Sequence, residues 1–339
     1  MIPVVLYGRK ECHLCEQVHE DLNSLQEKIP HQLTIIDIDS NDDLNRAYGL
    51  DIPVVEVGPY KLKTPFTKQE LEITLAAAEH RVKQLEELND PDYPKLVNRG
   101  KTWSKMDGFS YWLSKYYLVL LNVSLFIYIF IPFLAPCLMK MNLTAPANVI
   151  YSSYRIVCHQ LAYRSFFLFG EQPFYPRSAA GVKGFLSFQY AIGLSEGHTA
   201  EDIRAAQNYK GDSVIGYKVA LCQRDIAIYA GIIIFGLIFG VTKKRIPSLH
   251  WILWIMIGLV PIGIDGVSQL ISQPPINLLP YRESTPYLRV ITGFLFGFAT
   301  AWFGYPLIEE SMAETRKFLA VKRLRLDKSS KNTTPITSI

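Results

Sequence analysis

The chain has 339 residues, 49% hydrophobic and 19% charged, with a mean hydropathy of +0.12 and a formal net charge of +4. A charged fraction below the roughly 25% of ordinary soluble domains, together with positive mean hydropathy, excludes a disordered chain and argues against an all-soluble one. Residues 1–88 hold 9 basic and 16 acidic side chains, so an acidic front of net −7 precedes a basic, hydrophobic remainder of net +11.

Taken in order, Pro3–Tyr7 predicts a short buried strand that leads into Gly8-Arg-Lys-Glu-Cys12-His-Leu-Cys15. Glu16–Lys28 then predicts a helix with Val18, Leu22 and Leu25 on one face. Gln32–Asp37 predicts a second strand, and Asn41–Tyr48 a short helix with Asp42 and Asp43 in its first turn. Gly49–Val57 predicts a third strand entered through Pro53, and Thr67–Leu88 a closing helix. The order is βαβ, then ββα. Its chemistry sits at Cys12 and Cys15. A helix N-terminus carries free N–H groups and about half a positive charge, which favours thiolate over thiol. Cys12 is the expected attacking thiolate, and Cys15, one turn in, resolves the mixed disulfide. The competing reading, half a zinc site, finds no second cysteine or histidine pair at ligand spacing in residues 1–90. His13 and His19 are expected to be exposed.

Residues 1–85 resemble the glutaredoxin-like branch of the thioredoxin superfamily. The resemblance rests on Cys12-His-Leu-Cys15 after the first strand, Asp37-Ile-Asp39 ending the second, and Tyr48-Gly-Leu-Asp-Ile-Pro53-Val-Val before the third. It implies an α/β thioredoxin-like domain over 1–88, with Cys12 as nucleophile and Cys15 as resolving thiol. It also implies a cis Ile52–Pro53 peptide beside them, whose backbone pairs with a substrate chain. His13-Leu14 stands where the best known glutaredoxins carry Pro-Tyr.

The remainder predicts an all-α membrane domain over 116–310 with about four transmembrane helices. Its uncharged runs are Tyr116–Met139, Ile226–Thr242, Ser248–Ser272 (broken by Asp265) and Val290–Ile308, each near the length needed to cross about 30 Å of hydrocarbon. Segments 149–170 and 181–195, inside a long outer loop over 140–220, read as interfacial or re-entrant. Residues 89–115 predict a linker and interfacial anchor carrying Trp103 and Trp112. Residues 311–339 predict a basic cytoplasmic tail, disordered from 327. Basic residues flank the first span (Lys101, Lys105, Lys115), join the second to the third (Lys243, Lys244, Arg245) and follow the fourth (Arg316, Lys317, Lys322, Arg323, Arg325). The positive-inside rule then puts both termini in the cytoplasm of a bacterial inner (plasma) membrane. No signal peptide is read at the start, so the spans themselves act as insertion signals. Gly236/Gly240 and Gly293/Gly297 are small-residue pairs suited to close helix packing. The basic tail suits anionic membrane lipid; nucleic-acid binding has no support.

On this topology Cys158, His159, Arg164, Cys222, Arg224, Asp225, Asp265, Gln269 and Arg289 all fall near the outer boundary, where ionisable groups are costly and usually paired. Residues of about 145–310 are similar to an uncharacterised bacterial membrane family. The similarity rests on Cys158-His-Gln160, Arg164-Ser-Phe166, Cys222-Gln-Arg224, Ile228-Tyr-Ala-Gly231 and Asp265-Gly-Val-Ser-Gln269. Relatives can carry a second cysteine where this chain has Asp225, and the resemblance implies no reaction. Three arrangements stay open for the cluster. Cys158 and Cys222 form a disulfide, or they ligate a metal with His159 and Asp225 or Asp265. In the third, Arg164, Arg224 or Arg289 simply neutralises Asp225 and Asp265. Cys137 is read as inert packing, and His80, His198 and His250 as surface or interfacial.

The expected function is a membrane-tethered thiol–disulfide oxidoreductase using a redox-active disulfide and no certain further cofactor, with a cytosolic thiol reductant or a protein disulfide as partner. The alternative is a transporter or binding protein for a small polar solute or metal, regulated by the front domain. Four spans are few for a monomeric transporter, so that alternative implies a homodimer.

Overall fold

The computed structural model describes residues 2–88, 93–100, 102–193, 200–273 and 276–332. Part of the expected linker (89–92 and 101), His198 and the last stretch of the expected tail (333–339) lie outside the described residues. The chain divides into two units, Met1–Lys115 with Ser311–Ile339, and Tyr116–Glu310.

In the first unit, β1 (Ile2–Gly8) pairs parallel with β2 (His31–Asp37) and antiparallel with β3 (Val54–Val57), which pairs antiparallel with β4 (Tyr60–Lys63). The sheet order is β2-β1-β3-β4. Helices α1 (His13–Leu25), α2 (Asp42–Tyr48) and α3 (Lys68–Glu87) complete the α/β domain, followed by α4 (Tyr93–Gly100). Side chains alternate across a strand, so β1 serves two cores. Val4 and Leu6 pack with Val18 and Leu22 of α1 and Leu71 and Leu75 of α3. Val5 and Tyr7 pack with Leu44 and Tyr48 of α2. Asn41 caps α2 by accepting from the N–H groups of Asp43 at 2.9 Å and Leu44 at 3.2 Å, and Thr67 with Glu70 forms a capping box on α3.

The second unit holds most of α5 (Lys105–Lys140), then α6 (Thr144–Tyr154), β5 (Ser165–Leu168), α7 (Phe188–Ala191), α8 (Ala200–Asn208), β6 (Gly211–Asp212), β7 (Gly216–Cys222) and α9 (Gln223–Val241). A π turn (Ile255–Leu259) fuses α10 (Trp251–Trp254) with α11 (Val260–Ile271), and α12 (Pro286–Asn332) follows. Among the described residues, four helices are long and apolar enough to cross a membrane: Lys105–Lys140, Gln223–Val241, Trp251–Ile271 and Pro286–Asp327. The stretch between the first two is more than an interfacial loop. It carries a three-stranded antiparallel sheet in the order β5-β7-β6, closed over Tyr163, Phe167, Tyr175 and Phe188.

Glycine sets the seam between α9 and α12. A Cβ on Gly297 would overlap the Ile228 carbonyl oxygen, and one on Gly293 would come within 2.7 Å of the Arg224 carbonyl oxygen. Glu309 in the middle of α12 accepts from Tyr117 of α5 and pairs with Lys244 just past α9, each at 2.8 Å, which ties the three helices together.

Among the described residues, the expected tail is helical. Helix α12 runs on through Asn332, and in the first unit its later turns lie against the sheet, with Val321 joining Val5 and Tyr7 in one core. Arg316 grips Asp43 with two bonds of 2.8 and 3.1 Å and donates to the Ser114 carbonyl at 2.7 Å, while Lys322 pairs with Asp107 at 2.7 Å. The physical reason is charge and burial together: the basic segment answers an acidic domain, and its apolar residues share one face. Close packing at Gly297 predicts that Gly297→Ala lowers the thermal stability of detergent-solubilised protein by about 1–3 kcal/mol. Gly304→Ala, where a Cβ meets nothing within 4 Å, is expected to be neutral or stabilising in the same melting experiment.

Candidate functional sites: a thiol pair and a buried charge cluster

Cys12 has the extended backbone of an N-cap residue on α1. Its Sγ accepts from the Cys15 N–H at 3.3 Å, and its carbonyl accepts from the N–H groups of Cys15 and Glu16 at 2.9 and 3.1 Å. The two sulfurs are joined in a disulfide. Cys12 is half-buried and Cys15 is buried, the arrangement in which one sulfur can be reached and the other stands behind it. Gly8 makes room: a Cβ there would lie 3.2 Å from both Cβ and Sγ of Cys15. The Ile52–Pro53 peptide is cis, as the resemblance implies. Val54 pairs with Tyr7, which sets Pro53 level with Gly8 at the end of β1. A cavity of about 310 Å³ opens here, lined by Gly8, Arg9, Cys12, Cys15, His19 and Ile36 among others.

In the second unit, the polar residues selected from the sequence gather around two carboxylates. Asp265 accepts from Arg224, from Arg282 at 3.0 Å and from Ser284 at 2.7 Å. Glu283 accepts from Arg164 at 3.0 and 3.3 Å, from Gln269 at 2.7 Å and from Arg289. Arg164 and Arg289 thus serve Glu283 rather than Asp225 or Asp265, which corrects the expected pairing. Arg282, Glu283 and Ser284 went unrecognised because they lie in the α11–α12 connection, outside any apolar run. The available signal was an acid between two arginines just before a span.

Asp225 belongs elsewhere. One ligand-type atom from each of Cys158, Cys222 and Asp225 lies within 4.8 Å of the others, and both cysteines are free thiols. Cys222 caps α9, its Sγ accepting from the Asp225 N–H at 3.4 Å. The hydrogen bond between the sulfurs holds Cys158 below the usual thiol range and Cys222 well above it. His159 is exposed and outside this group, and Asp265 is held by arginines, so neither joins the expected ligand set. Lys218, fully buried, was also missed. Its ammonium donates to the carbonyls of Gln160 at 2.7 Å and Gln207 at 2.8 Å, and burial pushes it down to about 7.

Comparison with known proteins agrees with this two-part layout. Residues 3–84 match the family described as "Glutaredoxin-like domain (DUF836)", and residues 212–303 match "Predicted membrane protein (DUF2085)". The chain joins a glutaredoxin-like domain to a membrane domain of that second family. An uncharacterized protein of Methanocaldococcus jannaschii is 28% identical over 207 residues, covering 58% of this chain and 96% of its own. The X-ray structure of the structural-genomics target XcR50 from X. campestris is 34% identical, with a TM-score of 0.20, over 22% of this chain and 96% of that chain. The thiol pair lies within the glutaredoxin-like match and Cys222, Arg224, Asp265, Glu283 and Arg289 lie within the membrane-family match, whereas Cys158 and Arg164 precede it.

The charge cluster predicts a large effect from a small change. Glu283→Gln strands Arg289, whose side chain is only 4% exposed, and should cost about 3–5 kcal/mol of stability in detergent melts. The double change Glu283→Gln with Arg289→Gln is expected to recover part of that loss.

Proposed function

We propose that this protein is a membrane-tethered thiol–disulfide oxidoreductase whose working pair is Cys12 and Cys15. The observation that carries this reading is the reachable sulfur of Cys12 at the N-cap of α1, bonded to a buried Cys15 beside a cis proline. In the reduced domain the Cys12 thiolate, favoured by the helix N-terminus, attacks one sulfur of a substrate disulfide and expels the other as a thiolate. Cys15 then attacks the Cys12 sulfur, releases the second substrate thiol and leaves the Cys12–Cys15 disulfide. A cytosolic thiol reductant returns the two electrons.

The four spans are the tether, with both termini in the cytoplasm of the inner membrane. Basic residues supporting that orientation occur at the start of α5, in the α9–α10 turn and along the later part of α12. The Lys322–Asp107 pair, joining the α12 extension to the first turn of α5, agrees with both flanks lying on one side.

Cys158 and Cys222 support a wider role in which the membrane part is itself a thiol partner. We favour an exchangeable pair over a metal site, because Arg164 lies within electrostatic reach of Cys222. Positive charge there repels a divalent cation. Purified protein is expected to hold no stoichiometric metal and to yield a Cys158–Cys222 cross-linked peptide after mild oxidation. Stoichiometric zinc, lost in Cys158→Ser, would instead favour the solute- or metal-binding alternative.

In full-length protein, Cys12→Ser is expected to abolish reduction of a small aromatic disulfide. Cys15→Ser should accumulate a mixed disulfide on Cys12, read by mass spectrometry. Full activity in Cys12→Ser would sink the assignment.

A further inference from the structure

Four guanidiniums surround Asp265 and Glu283, so the cluster carries two positive charges beyond those its carboxylates neutralise. Asp225 does not balance them: among the described residues it forms no ion pair and faces the cysteines. The surplus is accessible, since the side chains of Arg164, Arg224 and Arg282 are 28%, 22% and 37% exposed. Arg224 also holds its Nε–H buried without an acceptor among the described residues. The carboxylates do not supply that acceptor, because each is already engaged by two arginines and one neutral donor.

An apolar groove of about 340 Å³ lies at the same level of α9 and α12 as this cluster. It runs between α9 and α12, lined by Ile226, Ala230, Val290 and Phe294, and its members Phe166, Gln223 and Val290 are close sequence neighbours of Arg164, Arg224 and Arg289. The groove lies along two of the apolar helices, and Arg224 and Arg289 stand in their first turns. The helix dipoles of α9 and α12 add positive potential at the same level. Cationic charge at the boundary and a hydrocarbon channel leading away from it together match an amphiphile with a negative head.

We propose that this cluster binds the phosphate of an anionic membrane phospholipid, one acyl chain of which occupies the α9–α12 groove. The partly exposed guanidiniums of Arg164, Arg224 and Arg282 recognise the phosphate, since guanidinium suits phosphate oxygens. The branched side chains of the groove take the chain. Basic pockets between transmembrane helices recognise lipid headgroups by the same chemistry.

The test uses full-length protein, exhaustively delipidated in neutral detergent and titrated separately with phosphatidylglycerol, phosphatidylcholine and inorganic phosphate while its melting temperature is followed. Phosphatidylglycerol is expected to raise the melting temperature by several degrees more than phosphatidylcholine, with inorganic phosphate having little effect. Arg224→Gln should weaken the phosphatidylglycerol response at least fivefold. It keeps the fold testable, because Asp265 retains Arg282 and Ser284. Ala230→Phe fills the groove without touching the arginines and should also weaken the lipid response. Equal responses to the two lipids, or an undiminished response in Arg224→Gln, overturns the proposal. A response to inorganic phosphate matching that to phosphatidylglycerol also overturns it, because the site would then take a free anion and have no use for the groove.

Discussion

Asp265 and Glu283 each expose 1% of their side chains, and a carboxylate held that far from water stays ionised only where cations and donors replace its hydration. That constraint organises the polar end of the membrane unit. Arg164 comes from the segment before β5, Arg224 from α9, Gln269 from α11, and Arg282 and Arg289 from the two sides of the α11–α12 turn. Three separate stretches of chain are therefore fixed by two buried charges. The cost of desolvating them is offset only while all partners are present, so the network holds helix ends in register rather than adding much net stability.

The thiol domain solves a different problem with local means. The thiol exchange proposed for it needs one reachable sulfur, one protected sulfur and a field that favours charge on the first. An N-cap position supplies all three at once, because the helix turns Cys15 inward while leaving Cys12 at the rim. Gly8 is the complement of that turn, giving Cys15 the space that any side chain on β1 would occupy.

Local patterning made this domain legible in the sequence. The strands and the helices after Cys12, Asn41 and Thr67 depend on neighbours a few residues apart. Arg164, Arg224, Gln269 and Arg289 were also legible, because charge at the end of an apolar run has few innocent explanations. Their partners were not. Arg164 meets Glu283 across 119 positions of sequence. Asp225 stood open to any of three arginines, yet it follows Arg224 directly, and consecutive residues on a helix point to different faces. The β5–β7 pairing hid for the same reason, being set by contacts over some fifty residues. The later turns of α12 read as a tail because their amphipathic face makes sense only beside a sheet encoded at the other end of the chain.

Lys218 has a thermodynamic consequence of its own. Folding takes its ammonium out of water and offers it carbonyl oxygens at hydrogen-bonding distance, with Arg155 and Lys210 adding repulsion. The unfolded chain keeps that proton up to about pH 10.5, whereas the folded chain releases it near 7. Between those limits folding expels a proton, and the contribution of this residue to stability rises with pH across the interval and is lost as pH falls back towards 7. The small sheet between the first two spans is thereby coupled to the acidity of whichever compartment it faces, through a side chain that no solvent molecule touches.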